Sequence, residues 1–131
     1  MYIARSVQEM YAMAIGAVLV LVGLLGFVSN PLVGVTSSAS ATSPIFGANL
    51  AENVLHILVG ALGLWFGYSG AAKGYNMWLG IGAAVVGLAG LSFVPTLPDL
   101  LFNVFSINNQ ITYLHLVIAV VSLGVAYGLK K

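Results

Sequence analysis

The chain holds four runs of mostly apolar residues, roughly 7–28, 50–68, 75–94 and 111–129. A helix needs about 20 such residues to cross a bilayer, so each run is long enough. They do not alternate apolar with polar residues, as the strands of a membrane barrel must. Of 131 residues, 60% are hydrophobic and only 5% are charged. A soluble domain is about 25% charged, so this chain lacks the residues to cover a water-facing surface. No basic patch marks a nucleic-acid binder. With no cysteine, disulfides, thiolate metal sites and cysteine nucleophiles are excluded. These features predict an all-α fold: one integral-membrane four-helix bundle occupying residues 1–131.

The connections are punctuated. The first run stops at Ser29-Asn30-Pro31, and the polar stretch 36–44 reads as an exposed loop. Gly70 to Gly74 makes a short turn. After Pro95 and Pro98, residues 99–105 read as a short interfacial helix dipping Leu100, Leu101 and Val104 into lipid, with Asp99 as its starting residue. With four spans, Arg5, Lys73, Lys130 and Lys131 all fall on one side, which puts both termini in the cytoplasm and residues 29–49 and 95–110 outside. Trp65, Tyr68, Tyr75, Trp78 and Tyr127 gather at the inner interface as an aromatic belt. Arg5 and Glu9 are spaced to pair there. Arg5, the apolar run after it and Ala39-Ser40-Ala41 resemble a secretory signal, but the run is long for one and is read as a span.

The second half echoes the first. A shift of 59 positions carries Phe46, Asn49, Leu55, His56, Leu64 and Tyr68 onto Phe105, Asn108, Leu114, His115, Leu123 and Tyr127. A shift of 64 carries Gly16, Gly23 and Gly26 onto Gly80, Gly87 and Gly90. Two similar transmembrane hairpins are expected, about residues 1–70 and 71–131, related by an axis along the membrane normal as in parallel repeats. Asn49, Glu52, His56, Gly60, Gly63 and Gly67 recur every three or four residues and share one helix face. Asn108, His115, Ala119, Ser122 and Ala126 do so on the last helix. Small residues on a face let helix backbones approach closely, so these faces pack inward and carry the histidines with them. Gly63-x-x-x-Gly67 and Gly124-x-x-x-Gly128 fit the same packing pattern.

Ionisable groups inside a membrane are costly and are functional candidates by default. Here they are Glu52, His56 and His115, with Asn49, Asn53 and Asn108 forming a polar outer-leaflet cluster around them. Glu52 lies one turn from His56, within reach of a carboxylate–imidazole hydrogen bond. Three readings stay open. Asn49 and Glu52 form a capping box while the histidines tie the outer loops to helix ends. Alternatively the two histidines bind a cofactor, ligating a haem iron or each holding a chlorophyll. The third reading is proton transfer, which lacks a deeper acidic residue to continue it. Spacing alone assigns no metal site and no catalytic set.

The segments Gly23-Leu-Leu-Gly-Phe-Val-Ser-Asn-Pro-Leu-Val-Gly34, Ile45-Phe-Gly47 and Asn53-Val-Leu-His-Ile-Leu-Val-Gly-Ala-Leu-Gly-Leu64 resemble the bacterial family called domain of unknown function 4383. The resemblance covers nearly the whole chain. It implies a small four-helix membrane protein with an Asn-x-x-His signature on the second helix, matched by Asn53 and His56. A related Asp-Asn-x-Leu-His signature on the fourth is matched by Leu114 and His115, with Ile111 and Thr112 replacing its Asp and Asn. It carries no activity. The functional expectation is a non-enzymatic accessory or scaffold subunit that packs against other membrane-protein subunits, in a bacterial inner or other energy-transducing membrane. The alternatives are a haem- or chlorophyll-binding protein using His56 and His115, and a small transporter component, which the lack of a polar midplane disfavours.

Overall fold

The computed structural model describes residues 6–36, 43–91 and 96–129. They form α1 (Val7–Leu25), β1 (Val33–Gly34), β2 (Phe46–Gly47), α2 (Leu50–Ser69), α3 (Ala72–Ala89), α4 (Thr96–Phe105) and α5 (Asn109–Gly128). Most of the expected exposed loop (residues 37–42), Arg5 with its expected partnership to Glu9, and Lys130 and Lys131 lie outside the described residues.

Local chemistry sets the ends. Ser6 and Glu9 form a reciprocal capping box that starts α1. Asn49 and Asn108 cap α2 and α5, each accepting a backbone N–H three residues on, at 3.1 Å. Gly70 closes α2 in the left-handed region at φ 95°, where a residue without Cβ is favoured. α1 stops three residues short of the expected 28. The Asn30 side-chain amide takes the Leu25 and Val28 carbonyls at 2.9 and 2.7 Å, while its oxygen receives the Leu32 and Val33 amides. That loop also carries the two-residue parallel ladder in which Val33 faces Phe46 and Gly34 faces Gly47.

Three helices, α1, α2 and α5, are long and apolar enough to cross a membrane. α3 is not among them. It starts at Ala72 and takes in Lys73, Tyr75 and Asn76, which dilute its apolar character. α4 begins at Thr96, before the expected 99. Leu100 and Val104 on it are exposed, while Leu101 turns partly inward.

The burial pattern runs opposite to that of a soluble domain. Among the described residues, the largest fully buried side chains are Asn76, Asn108 and Ser122. Val120 and Leu21 are 74% and 66% exposed, and many leucines, valines and aromatics point outward with them. In lipid such an exterior costs nothing, and the helices associate through small residues and internal hydrogen bonds instead.

α1 lies along α2 and α3 along α5, with far fewer contacts between the two pairs. Glycines set both pairings. Gly16 sits against the backbone of Gly60, Gly63 and Leu64, Gly23 against Ile57 and Asn53, and Gly26 against the Asn53 side chain. Across the second pair, Gly80 meets Leu123, Gly87 meets Leu116, and Gly90 meets Thr112. Gly63 and Gly67 touch Tyr75 and Met13, whereas Gly124 and Gly128 face open space. The pairs are tied at the end where α1 begins and α5 finishes. Gln8 donates to the Val125 carbonyl at 2.6 Å, and Asn76 donates to the Gln8 carbonyl and side-chain oxygen at 3.0 and 2.9 Å. Nearby, Tyr11 and Ser122 share a hydroxyl contact of 2.6 Å.

Candidate functional site

Glu52, His56 and His115 meet near the start of α2 and α5, at one end of the bundle. Glu52 and His56 are four residues apart on α2, so both project from one face. His56 Nε2 lies 2.8 Å from Glu52 Oε1, the carboxylate–imidazole contact expected from the spacing. His115 comes from the second turn of α5, and its Nε2 lies 3.9 Å from the same Glu52 oxygen. The rings are 6.4 Å apart between centroids and tilted by 33°. Side-chain exposure is only 8% for Glu52, 11% for His56 and 14% for His115.

The remaining ring nitrogens differ. His115 Nδ1 is 2.7 Å from the Ile111 carbonyl. A carbonyl only accepts, so this nitrogen donates, and when the ring is neutral Nε2 has its lone pair free, 3.9 Å from Glu52. His56 Nδ1 is buried and has no hydrogen-bond partner among the described residues.

Among the described residues neither histidine bonds to a loop. That work falls to the asparagines. Asn108 Oδ1 accepts from the Gly47 amide at 2.9 Å, and its side-chain amide donates to the Ile45 carbonyl at 3.1 Å. Asn49 donates to the Val104 carbonyl at 2.7 Å. The expected capping box is half formed, because the Glu52 carboxylate turns down to His56 rather than back to the Asn49 amide, which donates to Phe105 instead. Asn53 is buried against Gly26 and is not part of the ionisable cluster.

Beyond the cluster a half-open cavity of about 840 Å³ runs between the two helix pairs toward the turn from α2 to α3. Its lining includes Leu19, Val59, Phe66, Leu79 and Ile118, with Glu52, His56 and His115 closing one end. Tyr75 also borders it. The expected belt places Tyr75 at the interface; the structure turns it inward, where its hydroxyl donates to the Val59 carbonyl at 2.8 Å. Trp65, Tyr68, Trp78 and Tyr127 stay exposed.

A haem does not fit the histidine pair. Ligation from both sides needs the two Nε2 atoms on opposite faces of a macrocycle, and here the Glu52 carboxylate occupies the gap they face.

Spacing alone did not bring His115 to Glu52. The signal present was the equal position of both histidines, each seven residues beyond an N-cap asparagine. What it lacked was the docking of the two pairs. Gln8, Tyr11, Tyr75 and Asn76, which hold those pairs together, carried no sequence signal beyond being polar residues within apolar runs.

Fold and site together define a helical protein of membrane type, built inside-out, with a buried carboxylate and two imidazoles at one end of an apolar cavity. The chain belongs to the family described as Domain of unknown function (DUF4383), whose model matches residues 9–128. Comparisons with curated proteins and with solved structures return no match.

Proposed function

We propose that this is a non-enzymatic membrane protein of four spans, α1, α2, α3 and α5, arranged as two repeated hairpins that hold a lipophilic molecule between them. The observation that carries the reading is the cavity of about 840 Å³, apolar along its length and closed at one end by Glu52, His56 and His115. Binding sites for small molecules have this make-up: a mostly apolar wall with a few polar groups that fix orientation. The molecule lies with its long axis along the helices and its polar end toward the cluster. Below the cluster the described lining has no charged side chain, so a transport path for ions gains no support. Both termini are assigned to the cytoplasm on the basic residues, and the repeat on the equivalence of the glycine contacts.

Gly82 provides the test. It lines the cavity, and a Cβ built there meets nothing within 4 Å. Gly82→Phe therefore fills the space without disturbing a helix contact. Native mass spectrometry of protein released from mild detergent should show a bound small molecule on the wild type and its loss in Gly82→Phe. Equal occupancy in both defeats the reading.

A second reading, the accessory subunit, rests on a different observation. Gly124 and Gly128 form a small-residue face on α5 that no described residue covers. Close approach of another helix is what such a face permits. Under this reading Gly124→Ile leaves the isolated protein folded and removes co-purifying membrane subunits.

A further inference from the structure

We infer that Glu52, His56 and His115 form a binding site for one divalent first-row transition-metal ion of the zinc type. The site uses the three side chains that close one end of the cavity, and three observations converge on it.

The first is geometric. One ligand atom from each residue can be chosen so that all three lie within 4.8 Å of one another. Ligand atoms around a tetrahedral zinc with bonds of about 2.0–2.1 Å stand roughly 3.3–3.4 Å apart. The Glu52–His56 contact of 2.8 Å and the Glu52–His115 contact of 3.9 Å bracket that value. Small side-chain rotations close the rest. Two histidines and one carboxylate are also a donor set suited to zinc, leaving further coordination positions for water or a ligand.

The second is the tautomer of His115. Its Nδ1–H is held by the Ile111 carbonyl, the arrangement that orients a metal-ligating imidazole. The Nε2 lone pair then faces a carboxylate oxygen at 3.9 Å with both side chains largely buried. In the neutral ring two electron-pair donors stand 3.9 Å apart, an arrangement that a proton or a metal cation between them relieves. The Glu52–His56 hydrogen bond alone does not account for this orientation.

The third is the state of His56. Its Nδ1 is buried with no hydrogen-bond partner among the described residues, and its Nε2 already faces the Glu52 carboxylate at 2.8 Å. On metal binding the proton that bridges His56 Nε2 to Glu52 moves to Nδ1, and Nε2 becomes a ligand. No oxidant or further proton acceptor is required. The cavity below opens onto the metal's remaining positions.

The test uses the full chain in mild detergent, stripped with chelator and titrated with zinc chloride by calorimetry, then with Co²⁺ followed by visible absorption. The expected result is one metal ion per chain, with Co²⁺ bands of a low-coordinate nitrogen–oxygen site. His115→Gln and Glu52→Gln should weaken zinc binding by roughly 100-fold or more, the upper end of what loss of a merely supporting contact costs. His115→Gln keeps a polar side chain, and circular dichroism confirms that the variant is folded. Gly82→Phe should bind zinc like the wild type, so failure of the cavity reading leaves this one standing. Zinc affinity unchanged in folded His115→Gln, or no saturable zinc binding by the wild type, overturns the inference and leaves the cluster as a proton-shared hydrogen bond.

Discussion

The pair α1–α2 and the pair α3–α5 present glycines at matching positions but press them against different things. In the first pair, Gly16 meets backbone atoms of Gly60, Gly63 and Leu64, so two main chains touch. In the second, Gly80 and Gly87 meet mainly the side chains of Leu123 and Leu116. The residues opposite explain this: α2 offers Gly60, Gly63 and Gly67 where α5 offers Ala119, Ser122 and Ala126. Small residues on both sides bring the axes together. Small residues on one side make a notch that a leucine fills. The first interface therefore has little room to relax, and the second can adjust by rotating a side chain.

That contrast is open to direct attack. The largest effect is expected from Gly60→Leu, whose side chain would enter the backbone of α1 at Gly16 and Val20. Overpacking of this kind costs about 1–3 kcal/mol and often more, so a loss of folded protein in detergent is expected. The sharper version compares alanines. Gly16→Ala should destabilise by roughly 1–3 kcal/mol despite alanine's better helix propensity, while Gly80→Ala should stay within about 1 kcal/mol of the wild type. Reversible unfolding in mixed detergent measures both, and equal costs would remove the distinction between the interfaces.

The caps differ in the same spirit. Asn108 is 1% exposed and bonds the Gly47 amide and Ile45 carbonyl besides capping α5, so Asn108→Ala should cost about 2–4 kcal/mol. Asn49 is less buried, and Asn49→Ala should cost about 1–2 kcal/mol. If Asn49→Ala proves the costlier change, the outer loop is anchored on the first pair instead of the second. Smaller still is Tyr75→Phe, which deletes one hydrogen bond between α3 and α2 and should cost about 1 kcal/mol. Thermal unfolding of that variant reports how strongly the two pairs are held together away from their outer end.

Much of this architecture could be read from the chain. Asn49, read with Glu52 as a cap, signalled where α2 begins, whereas α5 begins at Asn109, two residues before the expected 111. The spacing of Gly16, Gly23 and Gly26 gave the face of α1 that packs. The one-turn separation of Glu52 and His56 announced their contact. These are local relations, governed by helix geometry within a few residues, and the sequence determines them nearly alone. The apolar exterior follows from the sequence as well, because no other surface is available to a chain with so few charges.

Other features were decided by tertiary structure. Asn30 cut α1 short by capturing Leu25 and Val28, a choice made by the folding of the loop after it. Tyr75 turned from the expected interface toward Val59 because α3 lies against α2 at that height. Gln8 and Asn76, 68 residues apart, found each other at the end where α1 begins. His115 reached Glu52 across 63 positions. Each of these depends on how two helix pairs dock, and docking is set by the summed shape of both surfaces rather than by any short stretch of chain. Periodicity fixes which face a residue occupies, but what that face meets is fixed only when the second pair arrives.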